Sequence, residues 1–216
     1  MWSYGLQNSN LDIMYLLLER VEALKKSNDK LIRCLLATDL RVDNPNVQID
    51  EESKIAFIES LKIGAFGLVK ALIQRGAHVN QIDALHSAIE SGHVTIVSLL
   101  LEKGTCIEDK NQDGKTALHI AAMLGQNEIV ELLLKNGATV DPLDHWKRAP
   151  LFYAAEYGFP EIVKALLNHG ANKKLKAKDF AAHIEINALH IANRKKCQEK
   201  IKEKIPDYEE VINLLK

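Results

Sequence analysis

Net charge is almost absent from this chain: 28 Lys+Arg stand against 29 Asp+Glu over 216 residues. That balance removes the long-range field of a dedicated nucleic-acid or membrane-surface binder, although local patches can persist inside a neutral total. No apolar run approaches the ~18 to 20 residues that a membrane helix needs. Cysteine is scarce, and Cys34, Cys106 and Cys197 are odd in number and far apart. They form neither a disulfide framework nor a close-spaced metal knuckle, so they are expected to be reduced, buried thiols. Proline numbers only 5 and aromatic residues only 6%, whereas 47% of residues are hydrophobic. That is too apolar for a disordered chain and matches a folded protein of one or two domains. The opening Met1-Trp2-Ser3-Tyr4-Gly5 has neither the basic start nor the apolar stretch of a secretory signal, and a cytoplasmic location is the expectation.

What the chain has is a repeat. Thr116-Ala-Leu-His-Ile-Ala-Ala122 returns 33 residues later as Ala149-Pro-Leu-Phe-Tyr-Ala-Ala155, and Glu128-Ile-Val-Glu-Leu-Leu-Leu134 returns as Glu161-Ile-Val-Lys-Ala-Leu-Leu167. The same shift backwards reaches Asp83-Ala-Leu-His-Ser-Ala88 and Ile96-Val-Ser-Leu-Leu-Leu101. Gly92, Gly125 and Gly158 fall in register, as do Gly104, Gly137 and Gly170. A period of this length signals a solenoid in which each unit buries its apolar face on its neighbours. Each unit reads as a short first helix starting near Ala84, Ala117 or Pro150 and ending at glycine. An amphipathic second helix follows and also ends at glycine. Pro160 falls in the first turn of a second helix, where its missing N–H costs nothing. The alanine pairs let the first helices approach closely.

These motifs resemble the ankyrin-repeat family, most specifically over residues 81–172. The resemblance implies an all-α solenoid of helix-turn-helix units with hairpin loops, closed by irregular helical caps. The expected layout is a helical N-terminal cap over residues 1–50, four units over 51–176 with the first degenerate, and a degenerate fifth repeat with a basic C-terminal cap over 177–216. The first unit keeps its second half from Gly64 to Gly76, and Ala56 to Ser60 is a reduced first half. Nine positions separate Gly76 from Leu85, against fourteen between Gly104 and Leu118, so the hairpin between the first two units is expected to be stunted. An insertion around Leu175 to Glu185 delays the unit that restarts at Asn187-Ala-Leu-His-Ile-Ala192.

No phosphate loop, nucleophile elbow or His-Glu-x-x-His motif occurs, so no enzyme, cofactor or metal is expected. His86, His119 and His190 share one slot of the repeat, where the resemblance implies an imidazole that bridges backbone groups of the turn. Noncovalent protein binding remains, as a scaffold, adaptor or inhibitor of an unidentified protein, with the chain itself expected to be monomeric. The resemblance implies a concave face built from hairpins and first helices. By register that face presents Gln112, Asp113, Lys115, Met123 and Leu124 from the third unit, and His145, Trp146, Arg148, Glu156 and Tyr157 from the fourth. Trp, Tyr, Arg and Met are enriched at interfaces. Two readings of Trp146 stay open, an interface residue or a side chain folded against Phe152 or Phe159. The alternative functions are a bacterial effector that binds a host protein in the host cytosol, and a binder of acidic or nucleic-acid ligands. The second would use the basic run from Lys173 to Lys204, whose lack of interleaved aromatics makes nucleic acid the lesser expectation.

Overall fold

A computed structural model of the chain describes residues 51–74, 77–80, 84–179, 184–199 and 208–216. The segment expected to be an N-terminal cap, and the tip of the hairpin expected to be stunted, lie outside the described residues. Two compact units divide between His78 and Val79. In the first, α1 (Glu51–Lys62) and α2 (Phe66–Gln74) form an antiparallel pair around Phe57, Leu61, Val69 and Leu72.

The second unit repeats that pairing: α3 (Ala84–Glu90) with α4 (Val94–Glu102), α5 (Ala117–Met123) with α6 (Asn127–Lys135), and α7 (Pro150–Tyr157) with α8 (Pro160–Asn168). After a two-stranded antiparallel hairpin, β1 (Ala177–Asp179) and β2 (Ile184–Ile186), come α9 (Ala188–Glu199) and α10 (Tyr208–Leu215). The first helices form one row, α3 on α5, α5 on α7 and α7 on α9. The second helices form another in the order α4, α6, α8, α10. In that row α3, α5 and α7 are buried on nearly every side. In α5 all six residues from Ala117 to Ala122 are buried, and Ala121, Ala122, Ala154 and Ala155 have no exposed surface, as close backbone approach requires. The second helices bury one stripe each, such as Ile129, Val130, Leu133 and Leu134 of α6. Each buried Ile, Leu or Val contributes about 1.5–3 kcal/mol, so a few such residues per helix outweigh the weak propensity of nine-residue helices.

The helix ends follow the glycines. Gly125 and Gly158 close first helices at φ 74°, and beyond Gly137 and Gly170 the N–H groups of Ala138 and Ala171 reach back to the carbonyls of Leu133 and Leu166 at 3.0 Å. Sideways, one slot recurs between units. Asn80, Glu108 and Asp141 each accept a backbone N–H, from Cys106 at 2.9 Å, Thr139 at 2.6 Å and Asn172 at 2.9 Å. Cys106 itself is exposed, contrary to the buried thiol expected, because its backbone rather than its side chain makes the contact between units.

Two departures mark the fourth unit. Lys147 stands 33 residues after Gly114 and adopts the same left-handed backbone, φ 59° against 75°, at a cost of about 1–2 kcal/mol for a residue with a side chain. Phe152 fills the slot that His119 fills in the third unit. The hairpin that follows is replaced by the inserted β1–β2 pair, in register Ala177↔Ile186 and Asp179↔Ile184. A buried aromatic there needs no partner in the displaced turn. Thus the insertion is a short antiparallel ribbon among helices in the described residues, and the restart at Ala188 packs on α7 as the next first helix.

Candidate functional site

The hairpins of the third and fourth units are built on side chains that mimic a turn. Asn111 Oδ1 accepts the N–H groups of Asp113 and Lys115 at 3.0 and 2.9 Å. One period later, Asp144 Oδ1 accepts those of Trp146 and Arg148, both at 2.8 Å. The His145 N–H donates to the Asp113 carbonyl at 3.1 Å, which joins the two hairpins. The His145 ring lies on Gly114, where a Cβ would come within 2.5 Å of Cδ2, so only glycine fits. Asp144 is buried, and its second oxygen accepts the hydroxyl of Tyr153 at 2.5 Å. Burial, and after it the Asp144 hydrogen bond and charge, push the Tyr153 phenol far above its ordinary range. Tyr153 is therefore a neutral donor to the Asp144 oxygen.

Around this pair the expected partner-facing residues bind one another. The Lys115 ammonium is 3.0 Å from Asp113 and sits over the rings of Trp146 and Tyr153, 5.1 and 5.5 Å from their centroids. Arg148 lies over Phe152 at 5.1 Å and reaches Glu156 at 3.3 Å, while Lys195 of α9 reaches the other Glu156 oxygen at 3.7 Å. The Tyr208 hydroxyl donates to the Glu156 carbonyl at 2.8 Å, which ties α10 to the end of α7. Trp146 is half-buried beside a cation, a contact that neither reading of it anticipated. Asp113, Lys115, Trp146, Arg148 and Glu156 are thus brought together.

A second group is separate and apolar. Leu124 and Tyr157, 33 residues apart at the ends of α5 and α7, are 43% and 44% exposed. Tyr157 stacks on Phe159 with ring centroids 6.4 Å apart, and Phe159 lies where a Cβ on Gly125 would come within 2.7 Å. Gly125 therefore seats the ring that props up Tyr157. Met123 is half-buried beside Leu124, and Gln112 and His145 are exposed on the hairpins.

Sequence reasoning missed Asp144 and Tyr153, and it placed Phe159 only as a candidate packing partner of Trp146 and Lys195 only in the basic run. For Asp144 a signal existed, since it lies one period after Asn111, and both residue types build such turns. The Lys195–Glu156 pair had none, because the insertion shifts α9 out of the 33-residue register.

Of the histidines in the shared slot, His119 is fully buried. Its Nδ1 accepts the Thr116 N–H at 3.0 Å, which leaves Nε2–H to donate to the Arg148 carbonyl at 2.9 Å. Burial lowers its pKa below the usual 6.5. His190 is exposed, and its Nδ1 lies 2.7 Å from Asn187 Oδ1. Among the described residues there is no group of three or more His, Cys, Asp or Glu placed to hold a metal ion, and no helix long and apolar enough to cross a membrane.

A family model described as Ankyrin repeats (3 copies) matches residues 6–111, 57–144 and 106–177. No curated protein matches the chain. Ankyrin repeats are generally protein–protein interaction modules and typically lack enzymatic activity. With the 33-residue period, the two rows of helices and matches that reach from residue 6 to residue 177, the chain belongs to the ankyrin-repeat family.

Proposed function

We propose that the chain is a noncovalent protein-binding module, acting as a scaffold, adaptor or inhibitor, and that its partner docks on the face made by the hairpins and the ends of the first helices. One observation carries the reading. Leu124 and Tyr157 hold two large apolar side chains in water on adjacent helices in the same slot of the repeat. Contiguous exposed apolar surface on a folded domain commonly marks an interaction site, and the Phe159 stack keeps Tyr157 in place before any partner arrives. The charged hairpin network beside it supplies a rigid polar rim. Its members hold one another, so they favour orientation over affinity. Gln112 and His145 at the hairpin tips, with Met123 beside the ridge, complete the surface.

The test is the pair Leu124→Ser with Tyr157→Ser. Both side chains are somewhat more than half covered and Tyr157 stacks on Phe159, so circular dichroism is expected to match wild type while urea unfolding shows a loss of about 1–2 kcal/mol. A protein captured by the wild-type chain is expected to bind the variant about five- to thirtyfold more weakly, in line with losing two anchors worth about 1–2 kcal/mol together. Unchanged affinity would remove the ridge from the account. Trp146→Ala is a poorer probe, because it uncovers Lys115 and disturbs the hairpin.

A further inference from the structure

The row of first helices carries a gradient of charge. Two slots recur along the row: Glu90, the last residue of α3, and Ser91; Met123, the last residue of α5, and Leu124; Glu156 and Tyr157, the last two residues of α7; and Arg194 and Lys195, midway along α9, once the insertion is allowed for. Helix α3 has the exposed Glu90 and no cation, and α5 has no charged residue. In α7 the single carboxylate, Glu156, is held between Arg148 and Lys195. Helix α9 has Arg194, Lys195 and Lys196 against Glu199. Lys196 is engaged by Glu209 at 2.8 Å, whereas Lys195 reaches Glu156 only at 3.7 Å, an ion pair long enough for a second carboxylate to share its ammonium. Arg194 is exposed beside it. The surface therefore runs from negative through apolar to positive.

Packed helices lie about 8–10 Å apart, which an extended chain covers in about three residues. We infer that the occupant of this face is an extended segment of the partner protein that crosses the first helices with its own charge gradient reversed. Such a segment places a basic residue over Glu90, apolar side chains about three residues apart on Leu124 and Tyr157, and an acidic residue about three further on, over Arg194 and Lys195. The apolar pair supplies affinity, and the charged ends set direction and exclude segments of the wrong polarity. This rests on the reading of the ridge as the docking face and adds the chemistry of what docks.

A random twelve-residue peptide library displayed on phage is the test, selected in parallel on wild type, Glu90→Lys, Arg194→Glu and the Leu124→Ser/Tyr157→Ser pair. Each of these side chains is exposed, and Lys195 stays in place to hold Glu156. Wild type is expected to enrich peptides with an apolar pair flanked by Lys or Arg at one end and Asp or Glu at the other. Arg194→Glu is expected to reduce the acidic residues at that end at least threefold, and Glu90→Lys the basic residues at the opposite end. The same charge preference on all three would overturn the gradient, as would acidic residues enriched at both ends. If those peptides are lost on the serine pair while charge preference ignores the reversals, the docking face stands and only its polarity falls. If wild type enriches nothing, or the serine pair selects the same peptides as wild type, both readings fall.

Discussion

Asp144→Ala is expected to lower the free energy of unfolding by about 3–5 kcal/mol, the range for removing one partner from a buried charged network. Its carboxylate accepts two backbone N–H groups and the Tyr153 hydroxyl, and it is buried. Alanine would leave those three donors without an acceptor and free the turn that aims Trp146 and Arg148. Asp144→Asn should lose far less, about 1 kcal/mol, because an amide oxygen still accepts the two turn N–H groups. Asn111 does just this one period earlier, at 3.0 and 2.9 Å. Urea unfolding followed by far-ultraviolet circular dichroism separates the two variants. Equal losses for alanine and asparagine would mean that the carboxylate charge, and not the turn geometry, dominates at this position.

The second large effect belongs to His119. Both ring nitrogens are committed in the neutral form, one accepting from Thr116 N–H and the other donating to the Arg148 carbonyl across to the next hairpin. Protonation would turn Nδ1 into a second donor facing a donor, inside a site that burial already makes hostile to charge. The unfolded chain takes up this proton near pH 6.5, while the folded chain resists it until the pH is lower. Between those two values the unfolded state holds more protons, so stability is fully present above pH 6.5 and is lost as pH falls toward the folded pKa. The slope for this single group is at most about 1.4 kcal/mol per pH unit. His119→Gln keeps a polar group at the third helical position, where Glu and Gln complete the same kind of box. It is expected to cost about 2 kcal/mol at pH 7.5 and to shed this part of the slope. Urea midpoints at pH 7.5, 6.5 and 5.5 for the two proteins test it, and parallel pH profiles would contradict it.

Much of this was legible before any coordinates. The 33-residue period, the alanine pairs and the glycines at 125, 137, 158 and 170 are local chemistry repeated, so helix type, helix ends and the order of packing follow from them. The inserted ribbon was visible only as a delay, because three-residue strands such as Ala177–Asp179 carry no periodic signal of their own. The hairpin network was half legible. Register put Lys115, Trp146, Arg148 and Glu156 on one face, but their mutual contacts depend on how far each side chain reaches, and Tyr153 and Lys195 enter from positions the repeat does not flag. Leu124 and Tyr157 were legible as face residues. What was not legible is the packing of Phe159 on Gly125 and against Tyr157 that holds Tyr157 in place.

The charged cluster is held by bonds within the fold, whereas Leu124 and Tyr157 leave apolar surface in water, as Phe66 and Leu143 do elsewhere in the chain. Fold membership alone does not name a partner, since one fold carries many functions on different sites.

Site-specific photo-cross-linking tests the docking face most directly. A photoreactive phenylalanine derivative would be placed at position 124 or 157 on the first-helix ridge and, as controls, at positions 131 and 164 on the outer side of α6 and α8. The account predicts one discrete adduct of the same mass from positions 124 and 157, and none from 131 or 164. An adduct confined to the outer positions, or the absence of any adduct from the ridge, would contradict it.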